Sequence, residues 1–146
     1  MSAKKDILRI VDANFNRSRE GLRVCEDIAR FIMNSPALTK ELKALRHGIS
    51  GIINSSPGMA EVLIESRNPS GDCGRIPDFK IEVPRRKARD IFTANIERVK
   101  ESIRVLEEFF KLVDIDLSAK FSRLRFKTYA IEKKAVKRLS SLRYSR

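Results

Sequence analysis

Residues 14–32 read NFNRSREGLRVCEDIARFI, and residues 95–113 read NIERVKESIRVLEEFFKLV. The two stretches align without a gap, and six of their nineteen positions are identical, where ordinary residue usage gives about one or two. The identical pairs are Asn14/Asn95, Arg17/Arg98, Glu20/Glu101, Arg23/Arg104, Val24/Val105 and Glu26/Glu107. Leu45-Arg46 and Leu124-Arg125 extend the similarity into the next helix of each half. The pattern predicts a duplicated helical hairpin.

Apolar residues at three- and four-residue spacing predict helices on both sides of a central region rich in Pro and Gly. The expected helices cover about 6–33, 36–52, 59–64, 84–113 and 119–142. Ser35, Ser56 and Ser118 are the expected N-terminal signals of the second, third and last helices. Residues 79–83 alternate and allow a brief strand. The fold class we expect is all-α.

Two such hairpins can bury their apolar faces on each other as a four-helix arrangement. We therefore expect one helical domain over residues 1–146, a bundle built from two duplicated long-helix hairpins. The repeat covers about 14–53 and 95–140, and a central irregular loop covers about 66–83. A length of 146 residues is enough to bury a core without disulfides or a structural metal.

The composition excludes several classes of protein. Hydrophobic residues make up 42% and charged residues 34%, too apolar for a disordered chain and too charged for a membrane protein. The longest uncharged stretch, 48–60, is shorter than a bilayer span, and no apolar run follows the first residues. Cys25 and Cys73 form no C-x-x-C pair, which argues against zinc or redox chemistry. We expect a cytoplasmic protein.

The net charge of +12 indicates an anionic partner. Charge alone does not distinguish a nucleic acid from a small phosphorylated metabolite. The chain has no Trp and two Tyr, so stacking platforms for single strands are scarce, while a duplex reader stays open. A helical nucleic-acid-binding module and a non-catalytic interaction or dimerisation domain are therefore the alternatives to an enzyme, and a homodimer is left open.

The repeated polar residues do not belong to the apolar stripes. At helical pitch the Asn and the first Arg of each half point inward or to the edge of a groove, where a polar group needs a partner. The Arg and Glu residues follow one another at three-residue spacing, which allows ion pairs along each helix. The same spacing is typical of a solvated salt-bridge face, so a ligand site and a structural ladder both stay open.

Two acidic pairs, Glu26-Asp27 and Glu107-Glu108, suit Mg²⁺, which uses one or two carboxylates together with substrate phosphates. Glu26 and Glu107 are expected to lie toward solvent. The carboxylates that we expect to help hold Mg²⁺ are Glu20, Asp27, Glu101 and Glu108. Phosphate-binding cations are expected on the second helix, at Lys43, Arg46 and His47. The basic carboxyl end, from Lys133 onward, is expected to be a solvated tail.

Four segments together resemble a known family: LRIVDANFNRSREGLRVCEDIARF (8–31), LKALRHGI (42–49), Asp72-Cys73-Gly74 and NIERVKESIRVLEEFFK (95–111). The family is the small all-helical hydroxymethylpyrimidine phosphate kinase of thiamine biosynthesis, found alone or fused ahead of thiamine-phosphate synthase. The resemblance covers most of residues 8–132. It implies transfer of the γ-phosphoryl group of ATP to the monophosphate of 4-amino-5-hydroxymethyl-2-methylpyrimidine, which gives the diphosphate used to build thiamine.

The resemblance and the repeat together define the expected site, with ATP as co-substrate and Mg²⁺ as cofactor. Arg, Lys and Mg²⁺ neutralise the charge that phosphoryl transfer brings together, and a carboxylate or an Asn reads a pyrimidine amine. The carboxylates expected to act in catalysis are Glu20, Asp27, Asp72 and Glu101. The residues expected to bind the phosphorylated pyrimidine and the nucleotide are Asn14, Arg17, Arg23, Lys43, Arg46, His47, Arg67, Gly74, Asn95, Arg98, Arg104 and Arg125.

Overall fold

The computed structural model describes residues 3–75 and 84–142. These residues form five α-helices and two short 3₁₀ turns, with no strand among them. The helices are α1 (Ala3–Phe31), α2 (Pro36–Asn54), α3 (Met59–Glu65), α4 (Ala88–Phe110) and α5 (Ile115–Ser141). The all-α prediction is confirmed. The brief strand allowed over 79–83 and part of the expected 66–83 loop lie outside the described residues.

The start of α2 follows the predicted N-terminal signal. The Ser35 hydroxyl accepts a hydrogen bond from the backbone N–H of Leu38 at 3.2 Å, and Pro36 occupies the first helical position. The start of α3 differs from the prediction, because its N-cap is Gly58 rather than Ser56. Gly58 has a φ of +76°, a left-handed conformation that glycine adopts without steric cost.

Two long helices also begin at other residues than predicted. The prediction that α4 starts at Pro84 is wrong: the helix starts at Ala88, where the Asp90 carboxylate accepts the backbone N–H of Lys87 at 3.1 Å. The prediction that Ser118 caps α5 is also wrong. Asp114 caps that helix, and the hydroxyl of Ser118 lies inside it and donates to the carbonyl of Glu107 at 2.6 Å. A carboxylate four residues upstream competed successfully with the serine as the N-cap.

Helices α1 and α4 pack closely and run antiparallel. Gly21 lies against Asn95 and Val99, and the thiol of Cys25 lies 3.8 Å from the carbonyl oxygen of Phe92. Residue numbers therefore rise along α1 as they fall along α4. A Cβ on Gly21 would lie 3.0 Å from the Asn95 carbonyl oxygen, so the absence of a side chain permits this approach.

The remaining helix pairs are antiparallel as well. Helices α2 and α5 meet through the Glu41–Lys134 ion pair, at 2.7 Å, and through the contact of Gly48 with Leu124. Within each hairpin a glutamate of the first helix is paired with an arginine of the second, as described below. The arrangement places the α1–α4 contact on one side of the bundle and the α2–α5 contact on the other.

The core lies between the four long helices. Its largest fully buried side chains include Phe92, Phe110 and Phe121, and the rings of Phe110 and Phe121 stack with centroids 5.2 Å apart. Some residues of the expected apolar stripes are instead exposed, among them Ile64 on the short α3 and Phe126 on α5, because these positions face away from the core. None of the described helices combines the length and apolarity that a bilayer span requires.

Candidate functional site

A cavity of about 470 Å³ lies between α1 and α4, within the size range of small-molecule sites. We call it the repeat groove, because each half contributes residues from equivalent positions of the duplicated stretch. Asn14, Arg17, Glu20 and Gly21 line it from α1, and Asn95, Arg98, Glu101, Ser102 and Val105 line it from α4. The structure thus brings together three of the identical pairs of the repeat, Asn14/Asn95, Arg17/Arg98 and Glu20/Glu101.

The two repeated asparagines make the same hydrogen bond. Asn14 donates its side-chain N–H to the carbonyl of Ile10 at 2.9 Å, and Asn95 donates to the carbonyl of Ile91 at 2.8 Å. This bond to the preceding turn orients each amide and leaves its carbonyl oxygen as an acceptor. The oxygen of Asn14 accepts from Nη1 of Arg17 at 3.4 Å.

Three charged side chains of the repeat groove have no protein partner within the described part of the chain. The side chains of Glu20, Arg98 and Glu101 form no hydrogen bond or ion pair with any other described residue. The continuous ladder that the three-residue spacing allowed along each helix therefore does not form. Arg23 instead pairs weakly with Glu26 and Asp27, at 3.8 and 3.9 Å, and Arg104 pairs with Glu108 at 3.1 Å. The groove charges stay available for a ligand.

Glu26 and Glu107, the later of the two glutamate pairs that are identical in the repeat, are buried. The prediction that they face solvent is therefore wrong. Each receives the Nε–H of an arginine on the next helix: Arg46 donates to Glu26 at 2.9 Å, and Arg125 donates to Glu107 at 2.8 Å. Burial raises the pKa of Glu107, but hydrogen bonds from Arg125 and Ser122 outweigh it, and the net shift of its pKa is downward. The two arginines expected to bind phosphate thus join the helices of each hairpin.

A second cavity, of about 550 Å³, adjoins the repeat groove. We call it the loop cavity, because it lies between the first half of α1 and the segment after α3. Its lining residues are Asp6, Arg9, Ile10, Asp12, Ala13, Asn14, Arg17, Arg67, Asn68, Pro69 and Asp72. Asn14 and Arg17 line both cavities.

A bidentate ion pair holds the loop of this cavity against α1. Nε of Arg67 donates to one carboxylate oxygen of Asp12 at 2.7 Å, and Nη2 donates to the other at 3.0 Å. The hydrogen bond from Arg67 to the Asp12 carboxylate raises the pKa of Arg67. Asp12 was missed by the sequence reasoning because it precedes the repeated stretch, and the equivalent position of the second half is Thr93.

The loop itself is held by short-range side-chain to backbone bonds. Asn68 accepts the backbone N–H of Gly71 at 3.2 Å, and Asp72 accepts the backbone N–H of Gly74 at 2.9 Å. The N–H of Gly74, which was expected to approach an anion, is therefore used within the loop. Asp72 and Arg67, both expected to belong to the site, line the loop cavity.

The other expected site residues lie elsewhere. Lys43 borders a separate depression near the start of α2, and His47 is exposed on α2 outside both cavities. Asp27 and Glu108 line neither cavity, so the four carboxylates expected to hold Mg²⁺ are not brought together. Over 3–75 and 84–142, no three His, Cys, Asp or Glu side chains converge in a way that could hold a metal ion by themselves.

The chain is similar to a known protein family and to several curated proteins. Residues 9–134 match the ThiD2 family. Over 126 residues the chain is 38% identical to a thiamine-phosphate synthase of Synechocystis and 36% identical to one of Rhodopirellula baltica, and each match covers 86% of this chain. It covers 35% and 33% of those two proteins, so the chain spans about a third of the length of the relatives. No solved structure matches the chain significantly. The family match covers most of the chain, which therefore belongs to the ThiD2 family.

Proposed function

We propose that the chain acts in thiamine biosynthesis, as an ATP-dependent kinase that converts 4-amino-5-hydroxymethyl-2-methylpyrimidine phosphate to the diphosphate. The pathway is supported by the relatives, which are named thiamine-phosphate synthase. The kinase reaction is supported by the resemblance of the first half, residues 8–31, and of its repeat to the pyrimidine phosphate kinase.

The observation that carries the proposal is a set of three charged side chains in the repeat groove. The side chains of Arg98, Glu20 and Glu101 line one cavity without a protein partner in the described ranges, whereas Arg104, Glu107 and Glu108, further along α4, are ion-paired. A groove that combines cations with carboxylates suits a small ligand with an anionic phosphate and an amine. A duplex surface, by contrast, is contacted chiefly by cations at its phosphates.

The proposed reaction is an in-line phosphoryl transfer. An oxygen of the pyrimidine monophosphate attacks Pγ of ATP, the bond from Pγ to the bridging oxygen breaks, and ADP leaves with that oxygen. No protein nucleophile is needed, because such reactions are catalysed mainly by positioning and by neutralising charge. Arg17 and Arg98 can donate two parallel hydrogen bonds to phosphate oxygens, and Glu20 or Glu101 can accept from the pyrimidine amine.

Magnesium fits this groove only with help from the substrates. Two carboxylates, Glu20 and Glu101, line the same cavity, and Mg²⁺ commonly uses one or two carboxylates together with substrate phosphates. When bound, the ion would reduce the repulsion between the two polyanions. Asp27 and Glu108 lie outside the groove, so Glu20 and Glu101 are the ligands that we propose.

Steady-state kinetics with coupled detection of ADP test the proposal. The wild-type chain should release ADP only when the pyrimidine monophosphate and ATP are both present, and the rate should depend on Mg²⁺. Glu20→Gln and Glu101→Gln should each lower kcat/KM by about tenfold or more. Glu61→Gln, an exposed carboxylate of α3 that lines neither cavity, is the matched control. Equal activity of all three variants would remove the groove carboxylates from the site.

A further inference from the structure

We propose that Arg17 and Arg98, although equivalent in the repeat, have different roles, and that the substrates meet at Arg17. This inference rests on the proposed function. The loop cavity takes the triphosphate of the nucleotide, and the repeat groove takes the pyrimidine monophosphate. Arg17 contacts the phosphoryl group in transfer, whereas Arg98 contacts the pyrimidine substrate alone.

The position of Arg17 between the two cavities is the first argument. Arg17 and Asn14 line the repeat groove and the loop cavity, whereas Arg98 and Asn95 line the repeat groove only. In-line transfer requires the donor and the acceptor to lie on opposite sides of the same phosphorus atom. Because Arg17 borders both cavities, its guanidinium can contact the phosphoryl group that passes from one substrate to the other.

The neighbours of Arg17 and Arg98 also differ, although the two residues are equivalent in the repeat. Asn14 is 5% exposed and accepts a hydrogen bond from Arg17, which restricts the guanidinium. Arg98 has no such partner among the described residues. The loop held by the Asp12–Arg67 pair faces the first half of α1, so the second cavity is built beside Arg17.

Size and the hydrogen-bonding groups of each lining indicate which substrate each cavity takes. The loop cavity is the larger, at about 550 against 470 Å³. Three arginines, Arg9, Arg17 and Arg67, and three aspartates, Asp6, Asp12 and Asp72, border it, whereas two arginines and two glutamates border the repeat groove. The nucleoside triphosphate is the larger of the two substrates. The repeat groove adds two glutamates and the carbonyl oxygen of Asn95, which are acceptors suited to an aminopyrimidine.

Kinetics of the matched pair Arg17→Ala and Arg98→Ala test the assignment. Arg98→Ala should raise KM for the pyrimidine monophosphate by about tenfold or more and change KM for ATP by less than about twofold. Arg17→Ala should lower kcat by about 100-fold and raise both KM values. Arg17→Lys, which keeps the charge but not the planar fork, should recover only part of kcat. Arg123→Ala, an exposed arginine of α5, controls for the loss of one positive charge.

Binding measurements separate failure of this inference from failure of the proposed function. Calorimetric titrations should show that Arg98→Ala binds a non-hydrolysable ATP analogue like the wild type, whereas Arg17→Ala binds it more weakly. Circular dichroism should show equal folding of both variants. Identical kinetic and binding profiles for the two variants, or loss of nucleotide binding in Arg98→Ala alone, would overturn the inference. If Arg98→Ala binds the nucleotide analogue like the wild type and Arg17→Ala binds it more weakly, but the wild type forms no diphosphate, the proposed function is refuted. The difference between the two arginines then still stands.

Discussion

Gly21→Ala is expected to destabilise the protein even though alanine is the better helix former. The added Cβ would lie 2.9 Å from Cγ2 of Val99 and 3.0 Å from the carbonyl oxygen of Asn95. The valine methyl can shift, but the carbonyl belongs to the backbone of α4, so the two helices must separate. Overpacking of this kind costs about 1–3 kcal/mol, whereas alanine gains about 1 kcal/mol in propensity. Because the cost falls on backbone, we expect a net loss of about 1–2 kcal/mol.

Thermal unfolding followed by circular dichroism measures this effect. A change of 1 kcal/mol shifts Tm by about 3 °C in a domain of this length, so Gly21→Ala should lower Tm by about 3–6 °C. Gly51→Ala is the matched control, because a Cβ on Gly51 meets no atom within 4 Å. That variant should raise Tm by about 2–3 °C. A Gly21→Ala protein at least as stable as the wild type would refute the close packing of α1 and α4.

Three further predictions concern other parts of the chain. Glu107→Gln should lower the free energy of unfolding by about 1–3 kcal/mol at pH 7. Because the pKa of Glu107 in the folded state is below its usual 4.5, this difference should be complete at neutral pH and shrink as the pH falls below about 4.5. Asp12→Ala should speed tryptic cleavage of the loop after Arg67 by about tenfold, because the ion pair that holds the loop is lost. A thiol reagent at pH 8 should modify the exposed Cys73 quickly. It should modify Cys25 only on unfolding, since burial raises the pKa of that thiol to about 12.

Each of these has its own contradicting result. A stability difference between wild type and Glu107→Gln that stays constant down to pH 3 would show that the glutamate gains nothing from ionisation in the folded state. Unchanged proteolysis of the Asp12→Ala loop would show that other contacts hold it. Rapid reaction of two thiols per folded chain would contradict the burial of Cys25 against α4.

Much of the fold could be predicted from the sequence, because apolar spacing and the repeat act locally. The helices and the residues that line the repeat groove follow from periodicity, since Asn14 and Arg17 lie at a fixed angle from the apolar stripe. Helix starts were less predictable. Ser118 and Asp114 are both good N-caps, and the choice between them depends on the packing of Ser118 against Glu107, which no local pattern contains.

The parts of the site that the sequence did not predict depend on contacts between distant segments. The repeated glutamates Glu26 and Glu107 were expected to face solvent, because ionised groups avoid burial unless they are paired. Their partners, Arg46 and Arg125, lie on the next helix and can be identified only once the hairpins are packed. Asp12 has no counterpart in the second half, so its pairing with the loop left no trace in the repeat.

Phosphorus NMR of the reaction mixture tests the proposed kinase activity most directly. The wild-type chain is incubated with ATP, Mg²⁺ and 4-amino-5-hydroxymethyl-2-methylpyrimidine phosphate, and the spectra follow every phosphorus-containing species. We predict loss of the monophosphate signal, growth of the two coupled signals of a diphosphate ester, and formation of ADP in equal amount. Formation of ADP with inorganic phosphate, or an unchanged spectrum while the folded chain persists, would contradict the proposal that the repeat groove supports phosphoryl transfer to the pyrimidine.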